Sequence, residues 1–407
     1  MSKAFDKVNH SILIHKLEQK GISGKLLLWL KNFLIGRTQQ VVIDGVTSTP
    51  ANVVSGVPQG TVLGPVMFLV YMDDISKVIQ HSIIKIFADD SKIIKDISNP
   101  ADRDLLMKDI LAVLQWCKDN SMEFNSDKFQ LLQHGADSNL KQPYTLPNEK
   151  ILETSATVRD LGVHISANLT WRYHINQITE DANKFASWIL RTIRARDSET
   201  MLLTFKSYIL SRLEYSSPLW SPMLIKDISK LESVQRSFTA KIDGLENLDY
   251  WSRLNYLKLF SIQRRRERYL IIHLFKIYQN QAPNDLQFQF SEHIRLGAQC
   301  KRKTYPNSCP ASVKTLRYNF FSCTAPRLFN IIPKHIKEAT KLETFKMKLD
   351  RLLKTIPDHP PVPGYVTASS NSLVDLVHHI SHRSRSTDYT ATADTGVGET
   401  VGSHGAS

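Results

Sequence analysis

Ser55-Gly56-Val57-Pro58-Gln59-Gly60-Thr61-Val62-Leu63-Gly64-Pro65 and, a short distance on, Ile86-Phe87-Ala88-Asp89-Asp90-Ser91 decide how this chain reads. The glycines of the first stretch permit close backbone approach by a ligand, and the Gln59 amide can both donate and accept hydrogen bonds. Pro65 suits the first turn of the apolar helix that follows, because proline there gives up no needed hydrogen bond. In the second stretch two adjacent carboxylates lie between Ile83–Phe87 and Ile93-Ile94, which read as two buried strands. Ionised groups so placed cost several kcal/mol each (an order-of-magnitude figure) unless paired or bound to metal. On a tight hairpin both can project near one point and share Mg²⁺, which takes one or two carboxylates, waters and substrate phosphates. Asp73-Asp74 is the internal control: it follows the apolar helix and reads as a helix-end turn.

Working outward, Val8, Ile12, Leu13 and Leu17 mark an amphipathic helix over roughly 8–20, stopped by Gly21. Ser23 or Gly24 caps a second helix that ends near Gly36. Gln39 to Ile43 reads as a strand and Asp44-Gly45 as a tight hairpin turn. The spacing of Leu105, Leu106, Ile110, Val113, Leu114 and Cys117 predicts a helix over 103–118, and Gln130 to Gln133 reads as a strand. From about 172 the pattern turns helical, with candidates over 172–195, 199–212, 227–241 and 261–279. These carry Arg191, Arg194, Arg196, Arg264, Arg265, Arg266 and Arg268. From about 356 proline and then Ser/Thr/Gly/His dominate, a composition that reads as disordered.

The 407 residues are 42% hydrophobic with a net charge of +13, enough for two or three cores and a field that favours polyanions. No run stays apolar long enough to span a bilayer, so a soluble, intracellular protein of nucleus or cytoplasm without membrane partners is expected. Cys117, Cys300, Cys309 and Cys323 fit unliganded thiols in a reducing compartment; the last three lack zinc-finger spacing.

The order of loop, apolar helix, strand, Asp-Asp and strand resembles reverse transcriptases of non-LTR retrotransposons, the jockey-like mobile elements. The resemblance extends to Ala4-Phe5-Asp6-Lys7-Val8, to Trp116 with Asn120, Phe124-Asn125 and Lys128, and to Leu161-Gly162-Val163-His164-Ile165. It continues through Tyr208 to Trp220, Arg264 to Tyr278 and Ala325-Pro326 to Leu352, covering roughly 1–355. It implies an α+β fold, with a polymerase palm (an antiparallel sheet with packed helices) followed by an α-helical thumb. The implied organisation is a partial palm over 1–135, a connection with a primer-grip-like strand over 136–170 and a helical thumb over 171–285. A basic region over 286–355 and a disordered tail over 356–407 complete it.

The resemblance also implies an RNA-directed DNA polymerase acting on an RNA template, a DNA primer and deoxynucleoside triphosphates, with Mg²⁺ or Mn²⁺. Asp89 and Asp90 map to two of three metal carboxylates. Gln59 and Gly60 map to the loop near the templating base and incoming nucleotide, Phe5 to the gate against the ribose 2′-OH, and Lys128 to a lysine near the triphosphate. Counting back from Phe5 to the family's first carboxylate lands before Met1, so that ligand and the fingers are expected to be missing. Asp6, next to Phe5 on an expected strand, faces the wrong way to replace it. The chain as given is therefore expected to polymerise poorly. The alternatives are a non-catalytic nucleic-acid-binding remnant, whose basic helices grip the duplex backbone, and a metal-dependent nuclease or phosphohydrolase. The oligomeric state stays open.

Overall fold

The computed structural model describes residues 3–123, 129–135, 143–147, 149–290, 298–300 (backbone only), 318–362 and 371–376. The chain divides into two compact units, residues 1–158 and 159–407.

The first unit opens with a turn at residues 4–7, closed by Asp6 and Lys7 amides on the Lys3 carbonyl at 3.0 and 3.1 Å. The strand expected there is absent because the chain must enter a helix within a few residues. Helix α1 (His10–Gln19) begins at Asn9, whose side chain accepts from the Ser11 and Ile12 amides. Helix α2 (Gly24–Leu34) follows the predicted Ser23. The next segment is two nested ladders, β1 (Thr38–Gln39) with β4 (Ala51–Asn52) and β2 (Val42–Ile43) with β3 (Val46–Thr47). Asp44 and Gly45 both have positive φ, +51° and +80°, as the predicted tight turn requires. Helix α3 (Leu63–Met72) runs into a 3-10 turn at Asp73–Val78. The strands β5 (Ile83–Phe87) and β6 (Asp90–Ile94) precede α4 (Pro100–Asp119), which starts in a capping box of Asn99 and Asp102.

One core gathers Val8, Leu13, Leu17, Leu34, Phe68, Tyr71, Met72 and Trp116 from α1 to α4. Inside it lies Lys16, whose Nζ donates to the Tyr71 carbonyl and to Asp74 Oδ1, both at 2.7 Å. Trp116 Nε1 donates to the same Asp74 oxygen at 3.1 Å. Lys20 pairs with Asp73 and holds its carboxyl below the usual range. Asp73-Asp74 is thus committed to lysines at a helix end, as its sequence reads. Gln130 to Gln133 forms no strand; Leu131 makes only an isolated bridge to Thr154. The two-residue strands β7 (Tyr144–Thr145) and β8 (Ile151–Leu152) pair beside it.

Next along the chain, β9 (Thr157–Asp160), which runs through the boundary, and β10 (Val163–Ser166) of the second unit form a hairpin turned at Leu161 and Gly162 with φ +45° and +84°. The helices are α5 (Arg172–Thr192), α6 (Ser198–Thr204), a π turn (Phe205–Leu210), α7 (Ser211–Glu214), α8 (Ser217–Trp220), α9 (Ile225–Thr239), α10 (Tyr250–Tyr256) and α11 (Ile262–Tyr278). Beyond them come helices Phe321–Asn330, Lys334–Lys337 and Leu342–Leu353. Phe205, Trp220, Leu231 and Phe238 centre one core. The second packs α11 against the C-terminal helices, with Phe275 and Phe345 stacked at 3.7 Å. Leu373 and Leu376, from the stretch read as a disordered tail, are buried in that core.

The run Arg264 to Arg268 corrects the expectation of a basic helix open to a duplex. Arg264 and Arg266 are fully buried. Arg265 pairs with Glu214, and Arg268 with Asp350. Buried Glu232 accepts from the Tyr250 hydroxyl and the Gln263 amide, both at 2.7 Å, and desolvation raises its carboxyl to about 7. Loss of water lowers Arg266 to about 10. Arg264 donates to the Pro357 carbonyl at 2.8 Å with Glu267 and Asp358 close by. Arg266 lies near Glu232 and Glu267, with its Nε and Nη1 lacking hydrogen-bond partners among the described residues. All four arginines thus face inward from α11.

Two-stranded ladders are the only sheets among the described residues. The single palm-like sheet expected from the sequence is replaced by small antiparallel pairs among helices.

Candidate active site

The hairpin β5–β6 holds the Asp-Asp pair. Its register sets Ile84 opposite Ile93, Lys85 opposite Lys92, Ile86 opposite Ser91 and Phe87 opposite Asp90, leaving Ala88 and Asp89 as the two turn residues. Ala88 takes φ +52°, a left-handed conformation that is unusual for a residue with a Cβ. The two carboxylates are therefore adjacent at a strand-to-strand turn, as predicted. Asp89 is half-buried and Asp90 exposed.

The strands are not buried as expected. Ile84, Ile93 and Ala88 pack on the core of the first unit, but Phe87 is 65% exposed, and Ile83 and Ile94 are also open. Side chains alternate across a pleated pair, so Ile83, Lys85, Phe87, Asp90, Lys92 and Ile94 share the outer face. Two lysines directly opposite each other repel. Their place on the face of Asp90 gives the turn a cationic flank that the sequence reading missed. Asp109, another residue the sequence did not single out, fixes where this hairpin starts. Its oxygens accept from the Gln80 and His81 amides at 3.0 Å each.

The glycine-rich loop is built against the N-terminal turn. The Val57 amide donates to the Phe5 carbonyl at 2.9 Å and the Gly56 amide to the Val8 carbonyl at 2.8 Å. The Gly56 carbonyl is met by His10 Nε2 and Arg37 Nη2, both at 2.8 Å. Gly56 has φ +89°, and a Cβ there would lie 2.9 Å from the Asp6 Cα and carbonyl oxygen. Close approach of backbone to backbone is thus the reason for glycine at this position. Gly64 is excluded from bearing a side chain for a like reason, with the Pro58 carbonyl 2.4 Å from a would-be Cβ.

Gln59 and Gly60 are exposed at the end of this loop. The Gln59 amide donates to Asp6 Oδ1 at 2.8 Å, so Asp6 serves the loop rather than standing beside Asp89 and Asp90. Phe5 stacks on Phe68 with centroids 4.3 Å apart and 16° between planes, and stays half exposed. The structure brings Phe5, Asp6, Gln59 and Gly60 into one assembly. It seats the Asp-Asp turn on the same core through Ala88. Lys128, with Phe124 and Asn125, lies outside the described residues.

Two adjacent hard oxygen donors at an accessible turn suit Mg²⁺ or Mn²⁺ completed by water and phosphate oxygens. Among the described residues, no third His, Cys, Asp or Glu joins them into a three-ligand group. Cys117 is no alternative ligand, since burial pushes its thiol up to about 12. Cys323 is a free, half-buried thiol; the side chain of Cys300 and all of Cys309 lie outside the described residues.

Residues 1–165 match the family model described as reverse transcriptase (RNA-dependent DNA polymerase). It is 26% identical over 255 residues to the RNA-directed DNA polymerase from mobile element jockey of Drosophila melanogaster, covering 60% of this chain and 28% of the relative. It is 25% identical over 252 residues to the probable RNA-directed DNA polymerase from transposon X-element of the same fly, with the same coverage of each. The jockey protein of Drosophila funebris is 23% identical over 257 residues. The chain spans about 28% of the length of these curated relatives.

Proposed function

We propose that the chain, with its reverse transcriptase domain at residues 1–165, supplies the metal-binding turn and nucleotide loop of an RNA-directed DNA polymerase from a retrotransposon. In this reading the first unit is palm and the helices of the second unit are thumb. The observation that carries it is the β5–β6 turn, where Asp89 and Asp90 stand together on the core that also anchors Val57 and Phe5.

Asp89 and Asp90 hold the divalent ion, which when bound polarises phosphoryl oxygen and offsets the charge developing in nucleotidyl transfer. Lys85 and Lys92, on the face of Asp90, attract the triphosphate. Gln59, steadied by Asp6, presents its amide beside the templating base. Phe5, held flat on Phe68, offers a fixed ring edge against a ribose 2′-OH. Rigid support of this kind matters because an error of about 1 Å in placement can lower a rate on the order of a hundredfold.

The test is the electron paramagnetic signal of Mn²⁺ titrated into the chain with template, primer and deoxynucleoside triphosphate. Nucleotide-dependent immobilisation of Mn²⁺, lost in Asp89→Asn with Asp90→Asn, is expected. Mn²⁺ binding that ignores both substitutions overturns the assignment.

One observation favours a second reading, a chain that binds nucleic acid without chemistry: the lack of a third metal ligand among the described residues. Salt-dependent binding of template–primer with no nucleotide incorporation supports it. Incorporation abolished by Asp89→Ala excludes it.

A further inference from the structure

On the surface of the second unit two aromatic rings stand next to each other in solvent. Helix α5 places Lys184, Trp188 and Arg191 on one stripe, at spacings of four and three residues. Its other side buries Ile175, Ala182, Ala186 and Ile189. Trp188 is 48% exposed and Tyr208 46% exposed. Their ring centroids lie 6.4 Å apart at 69°. Side chains of this size ordinarily supply core or interface area, so two neighbouring open rings call for an occupant.

Three further features say what that occupant is. Tyr208 belongs to the π turn Phe205–Leu210, which buries Phe205, Ile209 and Leu210 and leaves the tyrosine outside. Such turns are rare and recur at functional sites. Arg212, one turn on, lays its guanidinium 3.5 Å from the centroid of Phe185 and donates to the Tyr208 carbonyl. Finally, the charge is cationic. No carboxylate pairs with Arg191 among the described residues, and the exposed Lys184–Asp181 contact at 3.3 Å is weak.

We propose that Trp188 and Tyr208, flanked by Arg191 and Arg212, form a stacking platform for the unpaired bases of single-stranded nucleic acid. Every base presents a π face to an aromatic ring, and guanidinium groups take the phosphates between bases. The positive charge of the patch and of the whole chain selects a polyanion. A duplex hides its base faces and has no use for open rings. The platform stands on observations independent of the Asp89–Asp90 turn, and its test needs neither metal nor nucleotide.

The experiment titrates the full chain, in the presence of a metal chelator, against a labelled oligo-dT strand, an abasic strand of equal length and a blunt duplex, read by fluorescence anisotropy. Trp188→Ala weakens the dT strand on the order of tenfold and leaves the abasic strand and duplex within about twofold. Trp188→Phe restores most of the affinity. Arg191→Gln weakens all three ligands and lowers the salt slope by about one. Unchanged dT affinity in Trp188→Ala, or an equal loss on the abasic strand, overturns the proposal. So does loss of self-association with strand binding intact, which would make the patch an interface between copies.

Discussion

Gly56→Ala tests the joint between the glycine-rich loop and the N-terminal turn. The new methyl group meets two penalties. At φ +89° any L side chain is strained by about 1 kcal/mol. Its Cβ also falls 2.9 Å from Asp6 Cα and carbonyl oxygen and 3.0 Å from the Phe5 carbonyl, all backbone atoms that cannot rotate away. Relief requires the loop to part from the turn, stretching the Val57–Phe5 and Gly56–Val8 hydrogen bonds, each worth about 1 kcal/mol. The sum is about 3 kcal/mol, or roughly 5–10 °C in the melting of the first unit. Gly60→Ala is the control, because its φ is +75° and nothing lies within 4 Å of a Cβ, so only about 1 kcal/mol is lost. Calorimetry of the full chain measures the difference, and hydrogen exchange at the Val57 amide locates it. Equal destabilisation by the two substitutions, or unchanged Val57 exchange in Gly56→Ala, refutes the reasoning.

Burial and then the neighbouring His164 lower buried His174 to about 4. Its neutral form therefore favours the fold above pH 6.5, and up to about 3 kcal/mol disappears as pH falls from 6.5 toward 4. Urea midpoints across that range should drop in the native chain and flatten in His174→Leu. Asp109→Ala strands the Gln80 and His81 amides, lowers stability by about 2 kcal/mol and speeds exchange through β5. Phe345→Ala removes the ring stacked on Phe275 and costs about 3–5 kcal/mol, measured as the unfolding midpoint of the second unit.

Local chemistry was readable wherever one backbone requirement fixed the residue. Asp44-Gly45 marks its turn because both positions need positive φ, and Pro65 lies in the first turn of α3. Asp73-Asp74 reads as a helix end because it follows an apolar helix, and in the fold Lys16 and Lys20 pair with it. Burial was harder. Ile83-Ile84-Lys85-Ile86-Phe87 looks like a buried strand by composition, but Lys85 marks the face that alternation leaves open. The run Arg264 to Arg268 looks like a nucleic-acid grip. The carboxylates that face it, Glu214, Glu232, Asp350 and Asp358, come from distant sequence, so no local pattern announces that these charges point inward. Asp109 escaped notice for the same reason, since its bonds cap a segment nearly thirty residues away. In the site itself, the spacing placed Asp89 and Asp90 on a turn, while Asp6 found its role only through Gln59 across the fold.

The central claim is that Asp89 and Asp90 together hold the divalent ion of a polymerase centre. Anomalous diffraction from Mn²⁺ in crystals of the chain with an RNA template, DNA primer and deoxynucleoside triphosphate tests it most directly. The account predicts a peak about 2.2 Å from oxygens of both carboxylates and from the triphosphate. A well-occupied Mn²⁺ bound to other residues, with the β5–β6 turn empty beside an ordered nucleotide, contradicts it.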